Sequence, residues 1–150
     1  MAKGLGNGVP IGALLAAEPV ASAFSPGDHG RTFGGNFLSC AAALATLEVI
    51  QAENLMENAE KVGAYFQKRL QEWGNQYDLI EEVRGQGLMI GVGLKQPIAR
   101  VLMKAALGKG LIFNAVGDTT LRFLPPLCIS NADVDEAMTK LQAAYEAVQS

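Results

Sequence analysis

The sequence predicts a mixed α/β to α+β chain, on three observations. An alanine- and leucine-rich run at 37–52 is followed at 55–73 by apolar residues at helical spacing, Leu55, Ala59, Val62, Phe66 and Leu70. Two short apolar segments, 79–83 and 88–94, flank Arg84-Gly85-Gln86-Gly87 and read as strands joined through those glycines. A second strand pair, 111–115 and 120–123, reads as a hairpin around Gly117-Asp118, ahead of one more helix.

Taken in order, residues 1–35 are glycine-rich: loop, a short apolar strand at Ile11–Ala16, a helical turn near Pro19–Phe24, and a second loop at Ser25–Gly35. They hold too few large apolar side chains to make a core alone. Two successive helices come next, closed by a polar break at 74–78. Pro97 starts another helix that runs to about Leu107, where Gly108 and Gly110 stop it. Asn131 is placed to cap the last helix, whose face carries Val134, Ala137, Met138, Leu141 and Tyr145. There is no internal repeat or low-complexity tract. The expected division is 1–35, 36–75 and 76–150.

The composition sets limits on function. At 150 residues the chain buries about two-thirds of its extended surface, enough for one modest domain or one domain and part of another. Hydrophobic residues at 49% and charged residues at 18% are a globular balance. A net charge of −3, with dispersed Lys and Arg, gives no electrostatic footprint for nucleic acid, so small-molecule or protein partners are expected. Cys40 and Cys128 are far apart and lack metal-ligand spacing, which fits reduced thiols in a cytoplasmic protein better than a disulfide framework or a metal site. The apolar residues of the first twenty-five positions are interrupted by Lys3, Pro10, Glu18 and Pro19, so they read as neither signal peptide nor membrane span.

Three places have chemistry in reach. Lys3, in Ala-Lys-Gly-Leu-Gly-Asn-Gly, offers a primary amine with little crowding around it, suited to a carbonyl; read by spacing alone it is an exposed terminal lysine. The loop Pro26-Gly27-Asp28-His29-Gly30-Arg31-Thr32-Phe33-Gly34-Gly35-Asn36 brings a hydroxyl and backbone amides to the start of a long helix, a place that attracts phosphate or is simply a capped helix start. Arg84, flanked by glycine, presents a guanidinium fork that matches a carboxylate, or else is solvated at a strand turn. Asn114 and Arg122 are weaker candidates, each with an ordinary reading as a turn residue and a solvent-facing strand residue. His29, the only histidine, reads as loop structure.

These motifs, in this order, resemble the class-III pyridoxal-phosphate (PLP) aminotransferases, with the acetylornithine/succinyldiaminopimelate group nearest. The segment around Lys3 is similar to the one holding the cofactor lysine. The run His29 to Asn36 is similar to a family segment whose second hydroxyl residue meets the PLP phosphate of the neighbouring subunit. Val83-Arg84-Gly85-Gln86-Gly87-Leu88 is similar to the motif of an arginine on the substrate's α-carboxylate. The resemblance runs through 129–137 and implies the C-terminal part of a PLP aminotransferase fold: a remnant of the large cofactor domain, connecting helices and a small α+β domain. It implies Lys3 as catalytic and cofactor-binding residue, Thr32 as cofactor-binding, Arg84 as substrate-binding, PLP as cofactor, and a homodimer.

The same resemblance implies transamination of N-acetylornithine or a similar ω-amino substrate, with glutamate and 2-oxoglutarate as donor and acceptor. Ornithine or 4-aminobutyrate aminotransferase is the alternative within the family. Arg31, Phe37 and Gly93 depart from the family pattern, where a small hydroxyl residue, a proline and an acidic residue are usual. The family's phosphate cup, ring-stacking aromatic and pyridine-pairing aspartate are absent from these residues, so the isolated chain is expected to show negligible transaminase activity. A rival of another class is a non-catalytic α+β module that binds a partner through exposed apolar surface.

Overall fold

The structure is a computed structural model that describes residues 1–149. The chain forms two compact units, Met1–Asn54 and a second that begins at Leu55.

The first unit holds a 3-10 turn at Lys3–Gly6, helix α1 (Glu18–Ala21) and helix α2 (Phe37–Ala52). The strand expected at Ile11–Ala16 does not form. Only Ala13 finds an extended partner, its N–H donating to the Met1 carbonyl at 2.8 Å and its carbonyl accepting from the Met1 amine at 2.6 Å. Without a continuous neighbour the remaining backbone groups have no ladder to join. The start of α2 is well tied: the Asn36 Oδ1 accepts from the Ser39 N–H at 3.0 Å, and the Ser39 hydroxyl donates to the Pro10 carbonyl at 3.0 Å.

Helix α2 is apolar on every side, yet only Ser39 and Ala43 of it are buried. Phe37 is 95% exposed and Leu38 74%. A helix with apolar residues all round normally sits inside a larger body.

The second unit contains the core. Helix α3 (Leu55–Tyr77), strands β1 (Ile80–Gln86) and β2 (Met89–Leu94), helix α4 (Ala99–Gly108), strands β3 (Asn114–Val116) and β4 (Thr120–Phe123), and helix α5 (Asn131–Gln149) follow in sequence. The strands make one antiparallel sheet in the order β1-β2-β4-β3. Val62, Phe66, Leu70 and Trp73 recur at helical spacing along α3 and are all buried. Phe66 meets Phe123 of β4 edge-on at 5.2 Å, and α5 adds Tyr145 edge-on against Trp73 at 5.6 Å. Each fully buried leucine here, such as Leu70, Leu102 and Leu121, contributes about 2 kcal/mol of burial.

Several boundaries differ from the sequence reading. The polar stretch 74–76 stays helical; α3 runs on to Tyr77 and turns at Asp78, whose φ is +49°. Gly74 is needed there, since a β-carbon on it would lie 2.6 Å from the Ile80 side chain. The first helical residue after Pro97 is Ala99. Strand β1 extends through Arg84 and Gly85, and the turn is Gly87-Leu88, with Gly87 at φ +54° as a tight hairpin requires. The last helix is capped by Ser130 rather than Asn131: the Ser130 hydroxyl accepts from the Asp133 N–H at 3.3 Å, and the Asp133 carboxylate accepts from the Ser130 N–H at 2.7 Å.

Candidate active site

In the first unit a cavity of about 850 Å³ is lined by Met1, Ile11, His29, Arg31, Thr32 and Asn36 among others. Two turns shape its loop. The Ser25 N–H donates to the Asp28 carboxylate at 2.6 Å, and the Asn36 amide donates to the Phe33 carbonyl at 3.0 Å. Arg31 folds toward Gly34, where a β-carbon would lie 3.0 Å from its own. Thr32 is among the residues that line the cavity, and its hydroxyl has no hydrogen-bond partner among the described residues.

Lys3 is the first residue of the 3-10 turn and is exposed. Its φ of +53° is a left-handed conformation that costs a non-glycine residue about 1–2 kcal/mol. Among the described residues its amine has no ion pair or hydrogen bond. It belongs to the same unit as Thr32 but does not line the cavity.

Arg84 belongs to the second unit, and the sheet register gives it company. Arg84 of β1 stands opposite Gly91 of β2, Gly91 opposite Arg122 of β4, and Arg122 opposite Asn114 of β3. Side chains alternate between faces along each strand, so this row points one way and its neighbour the other. The neighbouring row, Val83, Val92, Leu121 and Ala115, faces the helices. Arg84, Arg122 and Asn114 are all exposed on the open face, with a glycine between the two arginines. The Arg84 Nη1 donates to the Glu82 carboxylate, whereas Arg122 has no partner among the described residues.

The aminotransferase class-III family model matches residues 1–145. The chain belongs to that family.

Among curated relatives of this class-III aminotransferase chain, the acetylornithine aminotransferase of Methanothermobacter thermautotrophicus is 46% identical over 141 residues, 94% of this chain and 36% of that protein. The N-acetylornithine aminotransferase structure from Stenotrophomonas maltophilia superposes with a TM-score of 0.84 at 31% identity, covering 96% of this chain and 38% of that one. The ornithine δ-aminotransferase structure from Plasmodium falciparum gives 0.79 at 36% identity, covering 88% and 34%. The chain thus spans about a third of the length of the relatives it matches.

Among the described residues Lys3 carries an unpartnered amine and Thr32 an unpartnered hydroxyl, the kinds of group that would bond a cofactor's aldehyde and meet its phosphate. Sequence reasoning ranked Asn114 and Arg122 low because each has an ordinary local explanation. Their shared row with Arg84 is a property of strand pairing across dozens of residues, and only the alternation of Leu121, Arg122 and Phe123 hinted that Arg122 faces outward.

Proposed function

We propose that this chain acts as the C-terminal part of a PLP-dependent transaminase of the acetylornithine type, in arginine or lysine biosynthesis in the cytoplasm, working as a homodimer. Residues 1–35 would belong to its cofactor domain, 36–75 to the connecting helices and 76–150 to its small domain. The observation that carries the reading is the row Arg84, Gly91, Arg122 on the open face of the sheet. Two guanidiniums on one face, separated by a glycine that puts no side chain of its own between them, are a fit for carboxylates, the groups that amino-acid and 2-oxo-acid substrates share. The relatives' names support acetylornithine over ornithine as the amino substrate.

PLP, when bound, supplies an aldehyde for amines and a ring that accepts electrons from the substrate's α-carbon. Lys3 Nζ would bond that aldehyde and carry a proton to and from the reacting carbon. Lys3 is exposed and stands between the small residues Ala2 and Gly4. Thr32 Oγ1 would donate to the phosphate, contributed to the partner subunit's cofactor. Arg84 and Arg122 would orient the substrate through its carboxylate.

The test is to mix the purified chain with PLP, reduce with borohydride and locate the phosphopyridoxyl group by peptide mass spectrometry, with Lys3→Ala and Thr32→Ala in parallel. Selective labelling of Lys3 over the six other lysines, weakened in Thr32→Ala, is the expected result. Equal labelling of all lysines would sink the cofactor role. The exposed apolar surface of α2 favours a second reading, a partner-binding module, and that reading is the one left standing by random labelling.

A further inference from the structure

We propose that Glu82 is a positioning residue for Arg84, seated in the space that a glycine at position 93 leaves open. The inference deepens the carboxylate-recognition reading of Arg84 and rests on it. It begins with an irregularity in β1. The pairing steps from Ile80 opposite Leu94 directly to Glu82 opposite Gly93, so Glu81 is the extra residue of a bulge. Ile80 and Val83 stay with the core, and Glu82 and Arg84 come out together on the open face.

Beneath this pair β2 presents two glycines. A β-carbon on Gly93 would lie 3.0 Å from the Glu82 Cγ and 3.5 Å from its Oε1, so the glutamate side chain lies directly over Gly93, which is buried. A β-carbon on Gly91 would lie 3.6 Å from both the Cγ and the Nε of Arg84, so the arginine lies over Gly91. The carboxylate accepts from Arg84 Nη1. An exposed arginine otherwise samples many rotamers, and ordering it on ligand binding is unfavourable. Held at one nitrogen and laid along the glycine floor, the guanidinium keeps Nε and Nη2 free for a carboxylate. The departure at Gly93 has a local explanation in this geometry: any larger side chain would contend with Glu82 for one space.

The test uses the full chain labelled with nitrogen-15, following the arginine Nε–Hε signals with glutarate as the carboxylate probe. In the unliganded protein the heteronuclear NOE at Arg84 Nε should be high, and should fall in Glu82→Ala and in Gly93→Ala while Glu82→Asp retains part of it. Glutarate affinity read at Arg84 should weaken about threefold in either variant, the range of an exposed pair. The Glu82→Ala/Gly93→Ala double variant should lose no more than either single one, because both act through the same contact. Unfolding midpoints identify any variant that loses structure, and Glu82, being exposed, is the substitution least exposed to that problem. An Arg84 signal equally mobile with and without Glu82 would overturn the proposal, as would tighter glutarate binding in Glu82→Ala, which would make Glu82 a competitor. An ordered Arg84 that glutarate never perturbs, in wild type or variant, would instead remove the recognition role on which the proposal stands.

Discussion

Gly63 of α3 and Gly87 of the β1–β2 turn lie closer than any side chain allows: a β-carbon on Gly63 would sit 2.1 Å from the Gly87 carbonyl oxygen. The helix rests on the turn backbone itself. The turn that follows Arg84 is thereby fixed to the core, with Leu88 buried next to it. Gly63→Ala must push helix and hairpin apart, and should destabilise the chain by about 2–3 kcal/mol. Urea denaturation followed by the fluorescence of Trp73, the single, buried tryptophan, measures this; an unchanged midpoint would contradict the contact.

Phe66 joins the helical layer to the sheet. It is 3% exposed and stacks edge-on against Phe123, which in turn packs on Phe113 with centroids 4.9 Å apart. Phe66→Ala should cost about 3–5 kcal/mol through lost burial and the cavity left behind. A loss under 1 kcal/mol in the same denaturation experiment would mean the site collapses freely.

The cap of α5 couples stability to pH. Hydrogen bonds from the Ser130 backbone and hydroxyl hold the Asp133 carboxyl below its ordinary value. A depressed folded-state pKa means the contribution is complete above the ordinary aspartate range and is lost as pH falls through the lower folded value. Ser130→Ala should lower stability by about 1 kcal/mol at neutral pH. The gap between wild type and variant should narrow in acid, as thermal melts at pH 7 and pH 3 would reveal; a gap that widened toward acid would reverse the sign argued here.

Hydrogen exchange should divide the chain. Of the first 54 residues only Gly6, Ser39 and Ala43 are buried, whereas α3 alone buries Ala59, Val62, Gly63, Phe66, Leu70, Trp73 and Gly74. Amides of α2 should therefore exchange orders of magnitude faster than those of α3, despite similar helix propensity. Strong protection across Leu5–Ala16 would show that the first unit has gained an oligomeric or other partner.

The second unit was the more legible in sequence, for a physical reason. Leu70 and Trp73 of α3, and Leu121 and Phe123 of β4, declare by spacing which face must be covered, and the core obeys. The apolar run at 11–16 carries no such instruction, because a strand exists only through a partner. The sequence reading put the cap of α5 at Asn131, and the aspartate three positions after Ser130 was the overlooked sign that Ser130 takes it. The company of Arg84 was the hardest to see: Arg122 and Asn114 reach it only through the register of three strand pairs. The left-handed backbone at Lys3 is a conformational fact that residue type does not announce.

That register is also a ruler. If β4 slipped by one residue against β2, Leu121 would turn to water and Arg122 would be driven under the helices, with its charge unpaired. The spacing between the two guanidiniums is therefore guarded by the packing on the opposite face of the sheet. That packing fixes where the outward side chains stand, and leaves the choice of those side chains to what the open face has to bind.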